Sequence, residues 1–187
     1  MSSNLDPRIV VLNGGSSSGK SSITRALQEL VSGIWLTFGV DTFIDALPGR
    51  GNSTQAGITY EPDGTITFSP DHRALEHTWY TGLASMAGSG AHIILDEVLL
   101  SGGIRQVHLT SMFSDVTVVW VGIRCDPDVA AAREARRADR VQGMARQQAL
   151  SVHSGMMYDF EVDTTHRSTD DCAHDIAGWL SAKGSAR

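Results

Sequence analysis

Residues 14–21 read Gly14-Gly15-Ser16-Ser17-Ser18-Gly19-Lys20-Ser21, directly after the apolar run Ile9-Val10-Val11-Leu12 and directly before a stretch of helical periodicity. Strand, glycine-framed turn and helix in that order form a phosphate-binding loop. Glycines let the backbone turn through left-handed angles and approach a ligand, inward amides meet its oxygens, one ammonium reaches the β/γ phosphates, and a hydroxyl serves Mg²⁺. The chain has only two lysines, Lys20 and Lys183, so a lysine at this position stands out from the composition. The stretch predicts a nucleoside triphosphate held by Gly14, Gly15, Ser16, Ser17, Ser18, Gly19, Lys20 and Ser21. Ser22, next in line, reads as a helix-start residue at the edge of the same cradle.

Outward from the loop, short apolar runs alternate with longer helical patterns, the signature of βα units and a parallel sheet. Strands are predicted at about 8–13, 34–39, 92–96, 116–122 and 160–163, near-continuously apolar as burial on both faces demands. Helices are predicted near 20–31, 70–88, 128–139, 142–151 and 170–182. Between Ile58 and Phe68 two alternating segments meet at Asp63-Gly64, a hairpin signal. Residues 48–69 therefore read as an excursion from the sheet, too small to bury a core of its own. The fold class is α/β, three layers around a five-stranded parallel sheet, as one domain over 1–187.

Three groups of residues outside the loop could carry chemistry. Ile93-Ile94-Leu95-Asp96 is an apolar strand ending in a carboxylate, which beside a phosphate loop holds the metal directly or through water. Ser21 and Asp96 are thus the candidate Mg²⁺ residues, with Glu97 the lesser alternative. Asp41 follows the second predicted strand, on the edge where open α/β sheets bind ligands. It reads either as the cap of a short helix from Thr42 to Leu47 or as a general base taking the proton of an acceptor hydroxyl; Asp45 is the fallback. Arg133, Arg136, Arg137 and Arg140 share one helix face by their spacing. They form either a solvated face paired with Glu134 and Asp139, or a lid over about 128–143 closing on the transferring phosphoryl group. Arg137 and Arg140, nearest Gly143, are the favoured catalytic pair, with Arg137 also contacting nucleotide. Trp35, Trp79, Tyr80, Met86 and Trp120 read as core, whereas Phe38 and Phe43 flank Asp41 and read as acceptor contacts.

The bulk numbers narrow the partners. Net charge is −6 over 187 residues, which argues against nucleic acid, because phosphate backbones call for a broad basic excess. Cys125 and Cys172 form no C-x-x-C pair, and the seven histidines show no metal spacing, so neither a zinc site nor a disulfide framework is indicated. With no leader-like start and no run long enough to span a bilayer, the expectation is a cytoplasmic protein without a membrane partner. A homo-oligomer is left open.

Several separated segments resemble one family, the chloramphenicol phosphotransferases, small phosphate-loop kinases of antibiotic-producing actinomycetes. They are Leu12-Asn13 running into the loop, Phe38-Gly39-Val40-Asp41, Gly90 to Val98, Trp120 to Asp126, Asp139-Arg140-Val141-Gln142-Gly143-Met144-Ala145, and Tyr158 to His166. The resemblance implies ATP- and Mg²⁺-dependent phosphorylation of a hydroxyl on chloramphenicol, inactivating the drug, on a fold similar to the adenylate and shikimate kinases. It implies loop 14–21 for ATP, Asp41 as base, and Arg137 and Arg140 as lid residues. Glu97 departs from the pattern, which has a second Asp there.

Together these readings predict an ATP-dependent phosphotransferase acting on a small-molecule alcohol, chloramphenicol first. A kinase of a sugar, nucleoside or other antibiotic is the nearest alternative. A nucleotide-dependent switch or binding module is the alternative from another class.

Overall fold

In the computed structural model of the chain, which describes residues 6–51, 53–60, 66–136 and 143–184, the run before the loop forms β1 (Ile9–Asn13), every residue of it buried. β1 is the centre of a five-stranded sheet with β2 (Trp35–Gly39), β5 (His92–Glu97), β6 (Val118–Arg124) and β7 (Phe160–Asp163). The order is β2-β5-β1-β6-β7, and every pairing is parallel. From β1 the chain runs first to one side of the sheet and later to the other, so the carboxyl end of β1 is the switch point at which such sheets open a crevice.

Alternation along β1 assigns its residues to two cores. Val10 and Leu12 pack with Ile23 and Leu27 of α1 (Lys20–Leu30) and with Cys172, Ile176 and Leu180 of α7 (Thr169–Gly184). Ile9 and Val11 pack on the other face with Tyr80 and Leu83 of α3 (Pro70–Gly88) and Leu109 of α4 (Gly103–Met112). Each fully buried Ile or Leu contributes on the order of 1.5–3 kcal/mol. Shortening one of them to alanine costs about 2–5 kcal/mol.

The hairpin forms as the sequence predicts. β3 (Ile58–Tyr60) pairs antiparallel with β4 (Ile66–Phe68) in a sheet of their own. A third apolar cluster seats it: Ala56, Ile58, Ile66 and Phe68 pack on Phe43 and Leu47 at the end of α2 (Val40–Ala46), with Trp79 of α3 alongside. The excursion thus borrows its core from two helices.

Four expectations need correction. Helix α4 was not foreseen, because its first turns break the usual pattern: Ile104 and Val107 face solvent, while Gln106 is buried beside the core residue Leu109 and bonds the backbone of Met157 at both ends of its amide. Met86 is partly exposed rather than core. The strand read from 116 starts at Val118 and runs on to Arg124. The helix read over 128–139 is α5 (Pro127–Glu134), so Arg136 lies beyond it. Positions 137–142 fall outside the described residues, Arg137 and Arg140 among them. Both cysteines are free and buried, and among the described residues no helix is long and apolar enough to cross a membrane.

Candidate active site

The turn from β1 into α1 is built as a cradle. Ser17 and Gly19 adopt left-handed angles, φ 60° and 87°. A side chain on Gly14 would meet the carbonyl of Ile123 at 2.7 Å, so β6 can lie against the loop only because that residue has none. Helix α1 opens at Lys20 with Gly19 as its cap residue and no side-chain cap bond. Its first amides are therefore left to a ligand, where the helix dipole also favours an anion.

Lys20 is buried, and its Nζ forms an ion pair with Oδ1 of Asp96, the penultimate residue of β5. Gly39 ends β2 against that same residue: a Cβ there would lie 2.1 Å from the Asp96 carbonyl oxygen. This close crossing brings the start of α2 to the phosphate loop. Asp41 lies in the first turn of α2, whose cap position is Gly39; the reading of Asp41 as the capping residue is thereby corrected.

Loop residues 15–22 and Asp41 line one cleft of about 760 Å³, within the usual size range of small-molecule sites. Beyond Asp41 the wall is apolar, made of Phe43 and Ile44 from α2 and Ile58, Ile66 and Phe68 from the hairpin, with His72 and Glu76 of α3 as its polar groups. Phe43, read as an acceptor contact, lines this wall. Phe38 does not: it packs edge-on against Trp79, centroids 5.8 Å apart, on the core face of β2. Asp45 is also absent from the lining.

At the other end of the cleft stand Arg133, Gln148 and Arg167. Arg133 is not part of a solvated face: its guanidinium donates to the carbonyl of Thr164 at 2.7 Å and to that residue's hydroxyl at 3.2 Å. The Thr164 hydroxyl in turn donates to the Ser18 carbonyl at 2.7 Å, so α5, the turn after β7 and the phosphate loop form one hydrogen-bonded unit. Among the described residues Glu134 pairs with no arginine. Its carboxylate is buried and accepts the amides of Gly143 at 2.6 Å and Ala145 at 2.9 Å, tying the end of α5 to the start of α6 (Met144–Ser151).

Sequence reasoning also passed over Asn13. Fully buried at the end of β1, it accepts the amide of Leu99 and donates to the Val152 carbonyl and the Tyr158 hydroxyl. It thereby ties the exits of β1 and β5 to the end of α6. His153 contacts the same Tyr158 hydroxyl at 2.6 Å, and burial pulls its pKa down to about 4, leaving a neutral ring. Glu97, on the α3 side of β5, is buried with Oε1 lacking a partner among the described residues. Burial lifts its carboxyl to about 7, against the opposing pull of the Lys20 charge and the Tyr80 hydroxyl.

The donors present suit a nucleotide with a hard cation. The cradle admits a polyphosphate, and one hydroxyl with one carboxylate fits Mg²⁺, which keeps waters and phosphate oxygens as its main ligands. Among the described residues no cluster of three or more His, Cys, Asp or Glu offers a protein-only metal cage.

Solved structures share this fold. A "sugar kinase" from Janibacter sp. HTCC2649 superposes with a TM-score of 0.63 at 15% identity, covering 96% of this chain and 97% of that one. Shikimate kinase from Acinetobacter baumannii in complex with shikimate gives 0.60 at 16% identity, covering 97% of each. At such identities the likeness is one of fold, that of the phosphate-loop kinases. In sequence, the chain is 30% identical over 183 residues to a Mycobacterium tuberculosis H37Rv protein named "Putative O-phosphotransferase", covering 90% of this chain and 80% of that protein. Residues 7–181 match the family described as chloramphenicol phosphotransferase-like protein. The chain therefore belongs to the chloramphenicol phosphotransferase-like family, a phosphotransferase on the phosphate-loop kinase fold.

Proposed function

We propose that the protein transfers the terminal phosphoryl group of ATP to a hydroxyl of a small, largely apolar alcohol, chloramphenicol or a close relative. The observation that carries this reading is the single cleft in which a phosphate loop, the carboxylate of Asp41 and a wall of Phe43, Ile44, Ile58, Ile66 and Phe68 meet. A polyhydroxylated sugar would leave most of its hydroxyls facing that wall without partners, a cost of about 1–3 kcal/mol for each one buried. An aromatic alcohol would bury its ring there at a gain.

The loop amides and Lys20 bind the polyphosphate, with Lys20 exchanging Asp96 for phosphate oxygens. Ser21 and Asp96 would hold Mg²⁺, which neutralises phosphate charge when bound. Asp41 takes the proton as the acceptor oxygen forms its bond to the terminal phosphorus. The bond from that phosphorus to the bridging oxygen breaks, and ADP leaves with the electron pair. Arg137 and Arg140 close over the spreading charge, and the closed cleft excludes water that would compete as acceptor.

The test is mass spectrometry of chloramphenicol incubated with protein, ATP and Mg²⁺. One added phosphoryl group is expected. If chloramphenicol remains unmodified while a sugar or nucleoside in the same panel gains the group, the acceptor assignment fails. ATP turnover indifferent to every alcohol tested would point instead to a switch or binding module.

A further inference from the structure

One residue in the cleft has no role in the scheme above. Gln148 sits on α6, almost fully buried, and its Oε1 accepts the backbone amide of Ser16 at 2.9 Å. The partner is an N–H, so the atom facing it must be the carboxamide oxygen, and the orientation of the side chain follows. The Nε2 amino group, with its two donors, is then turned away from Ser16 in a residue that lines the nucleotide cleft. Among the described residues it has no protein acceptor. The seat is rigid: a side chain on Gly15 would meet the backbone of Gln148 and Ala149 at 3.0 Å, so α6 lies directly on the loop.

Topology places this donor opposite the acceptor side. Asp41 follows β2, on one side of β1, whereas α6 lies in the connection from β6 to β7, on the other side. Ser16 belongs to the limb of the loop that leaves β1, away from the α1 amides and Lys20. A neutral donor fixed on that limb faces whatever phosphate projects beyond the ones the helix end holds. Pre-aimed donors of this kind need no reorganisation when charge spreads over the equatorial oxygens of a transferring phosphoryl group.

We propose that Gln148 is a substrate-contacting residue: anchored by the Ser16 amide, its Nε2 amino group donates to a non-bridging oxygen of the terminal phosphoryl group of ATP. The inference rests on the nucleotide reading proposed above. It does not depend on the identity of the acceptor.

Gln148→Glu separates this role from a structural one. The variant keeps an oxygen for the Ser16 amide at the same reach and replaces the donor by a second, anionic oxygen. Calorimetric titration with Mg²⁺·ATP and Mg²⁺·ADP is expected to give ADP affinity near that of the wild type and ATP affinity weakened by about tenfold or more. The thermal midpoint is expected to be unchanged, and turnover to fall about 10²-fold. Gln148→Ala, which removes the donor without adding charge, is expected to show the same ATP-selective loss in smaller measure, and decides the matter if the Glu variant fails to fold. Wild-type ATP binding and turnover in Gln148→Glu would reduce Gln148 to a brace for the loop and overturn the proposal. Equal weakening of ATP and ADP would overturn the assignment to the terminal group. Failure of the wild-type protein to bind either nucleotide would instead remove the nucleotide reading itself, and this inference with it.

Discussion

The ammonium of Lys20 is paired with the carboxylate of Asp96, joining the end of the phosphate loop to the end of the neighbouring strand. In the proposed mechanism the two partners part, Lys20 turning to phosphate oxygens and Asp96 to Mg²⁺. Lys20→Met is expected to weaken ATP binding and to lower turnover by at least about 10²-fold, the scale of losing one electrostatic clamp on a phosphoryl group. Equilibrium titration with a fluorescent ATP analogue would measure it, and undiminished binding would refute the assigned role of the lysine.

Asp41→Asn should separate chemistry from binding. The amide keeps the shape of the first turn of α2 but cannot accept the acceptor's proton, so turnover is expected to drop by about 10²–10⁴. ATP affinity should stay within about twofold, well under the 1.4 kcal/mol of a tenfold change. Steady-state kinetics with saturating acceptor read the first quantity, calorimetry the second. Near-normal turnover would reassign Asp41 to a purely local role.

Phe68→Ala tests the apolar wall. Phe68 stacks on His72 with centroids 4.7 Å apart and lies far from the loop in sequence. The acceptor KM is expected to rise about tenfold, a loss of about 1.4 kcal/mol from buried aromatic surface, with the KM for ATP unchanged. An equal rise in both would mean that the hairpin supports the whole cleft.

Glu97 gives a pH signature. Because burial lifts its carboxyl from 4.5 to about 7, the folded protein keeps this proton over a range where the unfolded chain has lost it. The stabilisation is fully present below about 4.5, shrinks as pH rises, and is gone above about 7. The difference amounts to about 3 kcal/mol. Glu97→Gln, which mimics the protonated form, should match the wild type in urea unfolding at pH 4 and exceed it at pH 8. Equal effects at both pH values would show that Glu97 does not titrate in this window.

Glu134→Ala removes the acceptor of two amides at the start of α6, one of them fully buried on Ala145. Unfolding free energy should fall by about 1–3 kcal/mol. ATP affinity should fall as well, since the start of α6, which carries the cleft residues Met144 and Gln148, loses its tie to α5. A stable variant with intact affinity would contradict the account of that anchor.

The sheet and the loop were legible because both write themselves locally. Ile9 to Leu12 and Ile93 to Leu95 are unbroken apolar runs, as strands covered on two faces must be, and residues 14–21 carry their turn geometry in composition. The hairpin announced itself through Asp63-Gly64. Helix α4 did not, because the outer Ile104 and Val107 and the inner Gln106 reverse the usual pattern, and Gln106 was held inside by a backbone more than fifty positions away. Gln148, Thr164 and Asn13 were invisible for the same reason: single polar residues whose partners lie across the fold. Glu134 shows how spacing can mislead, since its helix stops to free its carboxylate for α6, where periodicity alone would have continued. Phe38 flanks Asp41 in sequence, yet the strand's pleat sends its ring to the other side.

The small hairpin shares no strand with the main sheet, and among the described residues its apolar side chains pack on α2 and α3. On the proposed reading, exchanging residues 48–69 should retune which alcohol is accepted while leaving the handling of nucleotide in place. Chimeras that graft this segment between family members should inherit the donor's acceptor range together with the recipient's ATP kinetics.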